Sequence, residues 1–261
     1  MTSDMDNVSN LSSNNMVNCP TVLIGISHEM RTHMNAIVAF SYLMKDSCCN
    51  DTDRDEFSNQ ILSSCEQLIG LFDSFLDSAI IDTGNSKADS KICKLDSLLD
   101  DLLSEFREEL HKGGHKELEL VTEIQSSNSV EVNIDKNKIS RLLRSLFQNS
   151  IKNTKSGYIK IGYFLRDDKL NFYVLDSGLS YFKCKEFLQT EDLNESLKVY
   201  NDTYTAINII LVKKLILMLG GTISIECNGL TGTGIYFSIP AKIVASSNIN
   251  INKYLNTMIA I

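Results

Sequence analysis

Apolar residues recur at helical spacing in two stretches near the start of the chain, and polar segments separate them. Residues 1–18 are rich in Ser, Asn and Asp without an apolar period, which predicts a disordered tail. Three- and four-residue intervals between apolar residues predict one helix over 21–45 and a second through 57–76. The polar stretch DSCCNDTD between them predicts a loop, so residues 19–84 are expected to form a helical hairpin. Because a hairpin alone buries little surface, we expect two copies to pair as a dimeric four-helix bundle.

Beyond the hairpin the pattern changes to a mixture of helices and strands. The polar stretch DTGNSKADSK predicts a linker, which we assign to residues 85–92. Apolar periodicity then predicts helices over 95–110, 138–153 and 207–219, and strands over 118–124, 130–134, 158–165, 170–175, 222–226 and 234–239. Helices covering one face of a mixed sheet make residues 93–243 an α/β sandwich, and the fold class of the chain α+β. Residues 244–261 are set apart as a C-terminal tail.

The overall charge and the cysteine content narrow the classes of partner. The chain of 261 residues carries a net charge of -8, which argues against nucleic acid as a partner because phosphate binding needs a basic surface. The longest apolar stretch, 207–219, is interrupted by Lys213 and Lys214, and the first residues lack the pattern of a signal peptide. The seven cysteines are an odd number without metal-type spacing. We therefore expect a cytoplasmic protein with reduced thiols and no membrane partner.

The first helix contains the segment SHEMRTHMNAI, residues 27–37, which places a histidine among polar side chains. Helical spacing puts His28, Arg31, Thr32 and Asn35 on one face, away from the apolar stripe. A neutral imidazole, with an ordinary pKa of about 6.5, is a good nucleophile near pH 7. Glu29 can accept a proton from the ring, and the Thr32 hydroxyl can orient a water. Taken alone, a segment of this kind is more often an ordinary surface histidine.

The same segment resembles the phosphoacceptor box of sensor histidine kinases, whose usual form is Ser-His-Glu-Leu/Met-Arg-Thr-Pro-Leu/Met-Asn-Ala-Ile. The resemblance extends over residues 21–242. It implies that His28 is the phosphoacceptor, that Glu29 is the general base, and that Thr32 assists removal of the phosphoryl group. His33 stands where the family has Pro. Without the proline the helix is expected to be straighter, and His33 is more simply a surface residue than a second acceptor.

The second half resembles the GHKL-type ATP-binding domain of the same kinases. The stretch LFQNSIKNT matches their Asn-Ala-Ile-Lys-Phe-Thr box, which implies that Asn149 holds Mg²⁺ and Lys152 approaches the phosphates. The preceding Asn of the family is Ser145 here. The alternative is an amphipathic helix that exposes both side chains to solvent.

A second motif of that domain begins at Asp176-Ser177-Gly178. It matches the start of an Asp-x-Gly-x-Gly box, which implies that Asp176 binds the adenine amino group and that Gly178 lets the backbone approach the nucleotide. The second glycine of the box is replaced by Ser180. An Asp-Ser-Gly sequence after a strand is also a common turn.

The phosphate-binding lid of the family is the part that this sequence lacks. The three glycine positions of its Gly-x-Gly-x-Gly motif are Tyr204, Ala206 and Asn208, and residues 191–208 contain no Arg and only Lys198 as a cation. Side chains with a Cβ obstruct the close approach of backbone amides to a triphosphate. Outside the lid, the family's glycine motifs are retained at Gly220-Gly221 and Gly232-Thr233-Gly234. We therefore expect a degenerate ATPase domain whose ATP binding is weak or absent.

Three functions follow from these expectations. The first is a histidine phosphotransferase that exchanges a phosphoryl group between His28 and the aspartates of response-regulator receivers, which supply their own Mg²⁺. The absence of a sensor segment, a membrane span or a receiver in these 261 residues favours it. The second is an ATP-dependent histidine kinase with an atypical lid, motivated by Asn149, Lys152 and Asp176. The third is a non-catalytic dimeric scaffold that docks a receiver.

Overall fold

The computed structural model describes residues 19–46, 49–84, 86–123, 130–166, 169–178, 203–228 and 232–246. The predicted tail at residues 1–18 lies outside this part of the chain. The chain divides into two compact units. The hairpin unit comprises residues up to Ala79 together with Gln189–Ile210, and the sandwich unit comprises Ile80–Leu188 together with Leu211–Ile261. No helix among the described residues is long and apolar enough to cross a membrane.

Two long helices make up the hairpin: α1 spans Cys19–Leu43 and α2 spans Asp51–Asp82. The loop between them is shorter than the sequence pattern predicts, because α2 begins at a reciprocal cap. The backbone N of Asp53 donates to Asn50 Oδ1 at 2.9 Å, and the backbone N of Asn50 donates to Asp53 Oδ2 at 3.2 Å. Phe40 and Phe57 pack beside this loop with ring centroids 5.7 Å apart. The predicted helical hairpin is confirmed.

The sandwich unit contains two sheets and the helices that cover the larger one. Its strands are β1 (Lys91–Lys94), β2 (Leu118–Glu123), β3 (Val130–Ile134), β4 (Gly157–Arg166), β5 (Lys169–Asp176), β6 (Thr222–Asn228), β7 (Gly232–Pro240) and β8 (Lys242–Ser246). Its helices are α3 (Leu95–Lys112) and α4 (Lys136–Asn153), with the later turns of α5 (Thr203–Met218). The five-stranded sheet has the order β2-β4-β5-β7-β6 and is mixed, because β2 pairs with β4 in parallel while the other pairs are antiparallel. The predicted α+β class is confirmed.

Strand alternation directs one face of the five-stranded sheet into a single core. Phe172 pairs in register with Phe237, and their rings stack at 4.9 Å. Phe106 of α3 stacks on Phe147 of α4 at 4.0 Å. Leucines along α3 and α4 are almost completely buried in the same cluster, which explains why both helices have a strongly amphipathic sequence. Outside the core, the Arg144 guanidinium makes a two-pronged ion pair with Glu105 at 2.6 and 2.7 Å.

The smaller sheet, with the order β1-β3-β8, contains the two strands that periodicity does not predict. The strand β1 has the sequence Lys-Ile-Cys-Lys, and its first two residues lie in the segment assigned to the linker. The strand β8 extends three residues into the segment set apart as the C-terminal tail, and pairs with β3 across a register shift at Glu131/Val132. Both strands are too short for a periodic signal, and only their pairing with β3 makes them strands.

Candidate functional site

The polar face of α1 is exposed, as its helical spacing predicts. His28, Arg31, Thr32 and Asn35 are all exposed. The Thr32 hydroxyl donates to the His28 backbone carbonyl at 3.0 Å, so it is fixed one turn beyond the imidazole and keeps its lone pairs as acceptors. An exposed imidazole in such a face is open to a macromolecular partner.

Several residues near His28 along α1 are partly or fully buried. Glu29 is half-buried, and its assignment as a general base stays a prediction. Ile26 and Met30 flank His28 at two residues on either side, and both belong to the apolar cluster of the hairpin unit. His33 is half-buried, and α1 continues through it without a break from Cys19 to Leu43. This continuity is expected when a residue with a backbone N–H replaces proline.

In the sandwich unit, Asp176 lies at the end of β5 with its carboxylate buried and hydrogen-bonded. Oδ2 accepts from the Ser150 hydroxyl at 3.0 Å, and Oδ1 accepts from the backbone N of Gly178 at 3.0 Å. Burial raises the pKa of Asp176, and the hydrogen bonds from Ser150 and Gly178 oppose that rise. Sequence reasoning missed Ser150, which lies in the recognised box but gains its role only because β5 brings Asp176 to it.

Two glycines let the backbone close around this carboxylate. A Cβ on Gly178 would lie 2.5 Å from the Asn153 carbonyl oxygen. Gly232, with φ +108°, is tighter still, because a Cβ there would lie 1.8 Å from the Asp176 carbonyl oxygen. The retained glycine at 232 is therefore required for the strand pairing between β5 and β7.

One turn of α4 carries the predicted metal and phosphate residues. Asn149 is 6% exposed, and neither its Oδ1 nor its Nδ2 has a hydrogen-bond partner among the described residues. A buried amide without a partner is unusual, and a carboxamide oxygen is a ligand that Mg²⁺ accepts, so Asn149 fits the metal that the resemblance implies. Lys152 is exposed near the end of the helix. The adenine and metal residues therefore fit a nucleotide, at Asp176 and Asn149.

The three lid positions do not fit a phosphate cradle. Tyr204, Ala206 and Asn208 all lie within the helical backbone of α5. Asn208 is 1% exposed, and its Oδ1 accepts a hydrogen bond of 2.8 Å from the Ser74 hydroxyl of α2. Its side chain is thus occupied inside the hairpin unit. Ser180, Lys198 and the rest of the lid before residue 203 lie outside the described residues.

Comparison with known proteins agrees with both halves of this arrangement. Residues 22–84 match the family model of the His Kinase A (phospho-acceptor) domain. The chain is 25% identical over 231 residues to the sensor histidine kinase GacS of Pseudomonas protegens, a match that covers 83% of this chain and 24% of GacS. This chain is therefore similar to sensor histidine kinases over most of its length, and its residues 22–84 match a phospho-acceptor domain model.

Other relatives and solved structures extend the similarity to both units. The hybrid signal transduction histidine kinase B of Dictyostelium discoideum is 28% identical over 238 residues, covering 85% of this chain and 11% of the relative. The histidine kinase ShkA, solved full-length with AMPPNP, has a TM-score of 0.60 at 19% identity, covering 87% of this chain and 47% of ShkA. The histidine kinase AdeS of Acinetobacter baumannii has a TM-score of 0.59 at 17% identity, covering 82% of this chain and 97% of that chain. These structures support the fold, a helical hairpin followed by an α/β sandwich of the histidine kinase ATPase type. The chain spans a quarter or less of the length of these two curated relatives.

Proposed function

We propose that this histidine kinase relative is a phosphotransferase, which carries a phosphoryl group on His28 and exchanges it with the aspartates of response-regulator receivers. The observation that carries the proposal is the exposed polar face of α1 around His28, within a matched phosphoacceptor domain. A related arrangement supports the choice of partner. The histidine kinase ThkA, solved in complex with the response regulator TrrA, has a TM-score of 0.57 at 21% identity, covering 85% of this chain and 61% of that chain.

The chemical step needs few groups from this chain. A nitrogen of the His28 imidazole attacks the phosphorus of the receiver's phospho-aspartate, the P–N bond forms, and the P–O bond to the aspartate breaks. The aspartate leaves as a carboxylate, and Glu29 or water takes the proton of the other ring nitrogen. Transfer to a second receiver reverses these bonds. The receiver is expected to bring its own Mg²⁺, which neutralises charge on the phosphoryl oxygens. Thr32 can hold a water for hydrolysis.

A homodimer is part of the proposal, because the hairpin exposes a stripe of large apolar side chains. The exposed residues of this stripe are Met34, Val38, Leu62, Ile69, Phe72 and Leu76, between 39% and 60% exposed. A patch of this kind supports a helical partner, and the matched domain makes a second copy our choice. Analytical ultracentrifugation tests it. Ile69→Asp is expected to give monomers, whereas Ile92→Asp, at an equally exposed isoleucine of β1, is expected to leave the dimer intact. A wild-type protein that sediments as a monomer at micromolar concentration would contradict it.

ATP-dependent autophosphorylation is the second candidate, favoured by the Asn149 amide, which has no partner within the described ranges, and by the buried carboxylate of Asp176. In that case Asp176 would bind the adenine amino group, Asn149 would hold Mg²⁺, and Lys152 would face the phosphates. Against it stand the three lid positions inside α5. We propose that the ATPase domain is degenerate and that Mg-ATP binds weakly or not at all. Calorimetric titration with Mg-ATP, followed by an assay of acid-labile phosphate on His28, separates the two candidates.

The deciding experiment offers the protein a phosphorylated receiver and measures acid-labile label on the chain. Wild type is expected to take the label and His28→Gln to take none, while His33→Gln, on the same helix, behaves as wild type. Transfer of label from wild type to a second receiver completes the test. If wild type binds the receiver without gaining label, the chain is a docking scaffold and the proposed activity is wrong.

We place this exchange in the cytoplasm. The described cysteines Cys49, Cys65 and Cys93 are free thiols, which supports a reducing compartment.

A further inference from the structure

The hairpin unit contains a small apolar cluster that joins three separate stretches of chain behind His28. Ile26 of α1, Leu71 of α2 and Ile207 of α5 are 4%, 0% and 1% exposed, and Met30 and Phe75 pack against them. Ile26 and Met30 are four residues apart and share one face of α1, while His28 lies midway between them on the opposite face. The cluster therefore packs against the face of α1 opposite His28 and leaves the imidazole exposed.

A buried hydrogen bond lies next to this cluster and defines how α5 meets α2. The Ser74 hydroxyl donates to Asn208 Oδ1 at 2.8 Å, and the two residues are 4% and 1% exposed. Asn208 Nδ2 has no partner among the described residues. A polar pair in an apolar helix contact fixes register, because sliding α5 by one residue would break this hydrogen bond and leave the buried Asn208 amide without it. The first turns of α5 thus have one preferred position on α2.

The same residue occupies a position that carries glycine in the family's lid. A glycine at 208 would have no side chain for Ser74 to reach. The substitution that removes a phosphate-contact position therefore supplies a contact inside the hairpin unit, and Ile207 beside it completes the apolar cluster.

We propose that the first turns of α5 are a fixed anchor for the phosphoacceptor turn of α1, and that Asn208 is its positioning residue through Ser74. The anchor holds the Ile26–Met30 turn against α2, and with it the spacing between the His28 side chain and the Thr32 hydroxyl. The anchoring is independent of the chemistry at His28, whereas its effect on phosphoryl transfer rests on the proposed function.

Hydrogen–deuterium exchange on the full chain tests the anchor directly. Asn208→Ala and Ser74→Ala are each expected to speed amide exchange across residues 26–34 by about tenfold, the effect of losing one buried hydrogen bond. The double variant should be no faster than Ser74→Ala alone, because both substitutions remove the Ser74–Asn208 hydrogen bond. Lys214→Ala is the matched control on α5. It removes an ion pair of 2.6 Å with Asp82 in the sandwich unit and should leave residues 26–34 unchanged. Unchanged exchange in a folded Asn208→Ala variant would overturn the anchor.

A second measurement, the lifetime of a phosphoryl label on His28, tests whether Asn208 positions the phosphoacceptor turn or only stabilises the helix contact. Phosphoramidate loads a histidine without a receiver: its P–N bond breaks, ammonia leaves, and a new P–N bond forms to the imidazole. Mass spectrometry then follows the lifetime of the label on His28, with His28→Gln as background. Asn208→Ala is expected to lengthen that lifetime several-fold, because a loosened turn misaligns Thr32. A lifetime equal to wild type would overturn the positioning role. Since no receiver is involved, this result does not depend on exchange with a receiver and rests only on the proposed role of Thr32 in hydrolysis.

Discussion

Helix α4 has a buried carboxylate at each end, and the two are held in opposite ways. Asp135, before the first turn, is 2% exposed and accepts from the backbone N of Lys138 and of Asp89, and from the Lys138 ammonium at 3.0 Å. Asp176, beside the last turn, is 6% exposed and accepts from neutral donors in the described part of the chain, among them the Ser150 hydroxyl and the backbone N of Gly178. Burial opposes ionisation at both, yet the pKa of Asp135 is lowered and that of Asp176 is raised.

The difference shows that the fold balances the charge of Asp135 and leaves that of Asp176 unbalanced. A helix N-terminus favours an anion and a C-terminus disfavours one, so Asp135 is stabilised by its place and Asp176 is not. A buried carboxylate whose ionised form lacks a cation lowers stability at neutral pH, which is the pattern expected where binding rather than folding requires the group. Asn149, one residue before Ser150, has the same character.

The largest expected effect is at Gly232, where the backbone closes on Asp176. Gly232→Ala combines a positive φ with a Cβ 1.8 Å from the Asp176 carbonyl oxygen, and should lower the free energy of unfolding by about 4 kcal/mol. Gly84→Ala is the matched control, since its φ is +69° and a Cβ there meets nothing within 4 Å. It should cost only about 1 kcal/mol in urea unfolding. Equal losses at the two positions would contradict the close packing at Asp176.

Asp135→Ala is expected to cost about 2 kcal/mol, because it removes the cap of α4 and the bond to Asp89. The sign of the pH dependence follows from the lowered pKa. The contribution is fully present above the ordinary pKa of 3.8 and is lost as pH falls through the lower folded value. Asp135→Asn is the control, since it keeps an acceptor for the backbone donors. If acid unfolding curves of wild type and Asp135→Asn coincide, ionisation of Asp135 contributes nothing.

Asp176→Asn should change stability by less than about 1 kcal/mol at neutral pH, because the amide oxygen still accepts a hydrogen bond and the desolvated charge is gone. The raised pKa gives the opposite pH dependence from Asp135. The contribution of Asp176 is present below the ordinary value of 3.8 and is lost as pH rises through the higher folded value. Thermal unfolding from pH 3 to 7 measures it. A large destabilisation at neutral pH would reverse the contrast between the two carboxylates.

The smallest expected effect is a gain in stability, at Asn149. Asn149→Leu replaces a buried amide that has no partner among the described residues, and Leu favours a helix more than Asn. The free energy of unfolding should rise by about 0.5 kcal/mol in denaturant titrations. Clear destabilisation would show that folding requires the Asn149 side chain, and would remove the main support for the kinase candidate.

The local parts of the site are readable from the sequence because they are contiguous. Residues 27–37 form one helical segment, so spacing alone predicts that His28, Arg31, Thr32 and Asn35 share a face. The Asp176–Gly178 turn and the Asn149 box are also short continuous motifs. By contrast, the Ser150 hydroxyl meets Asp176 across 26 residues, and Ser74 meets Asn208 across 134 residues. Neither pair leaves a periodic or local signal.

The sequence by itself determined the hairpin, the mixed sheet and the exposed polar face of α1 around His28, because helical and strand periodicity reflect local backbone geometry. Only the tertiary structure decided how burial and hydrogen bonding shift the pKa values of the acidic residues in the sandwich unit. Two aspartates of identical chemistry acquire opposite pKa shifts because one faces a lysine and a helix N-terminus, whereas the other faces neutral donors at a helix end. It also decided that β1 and β8 are strands and that Asn208 is a buried contact, since pairing and burial depend on residues far away in the chain.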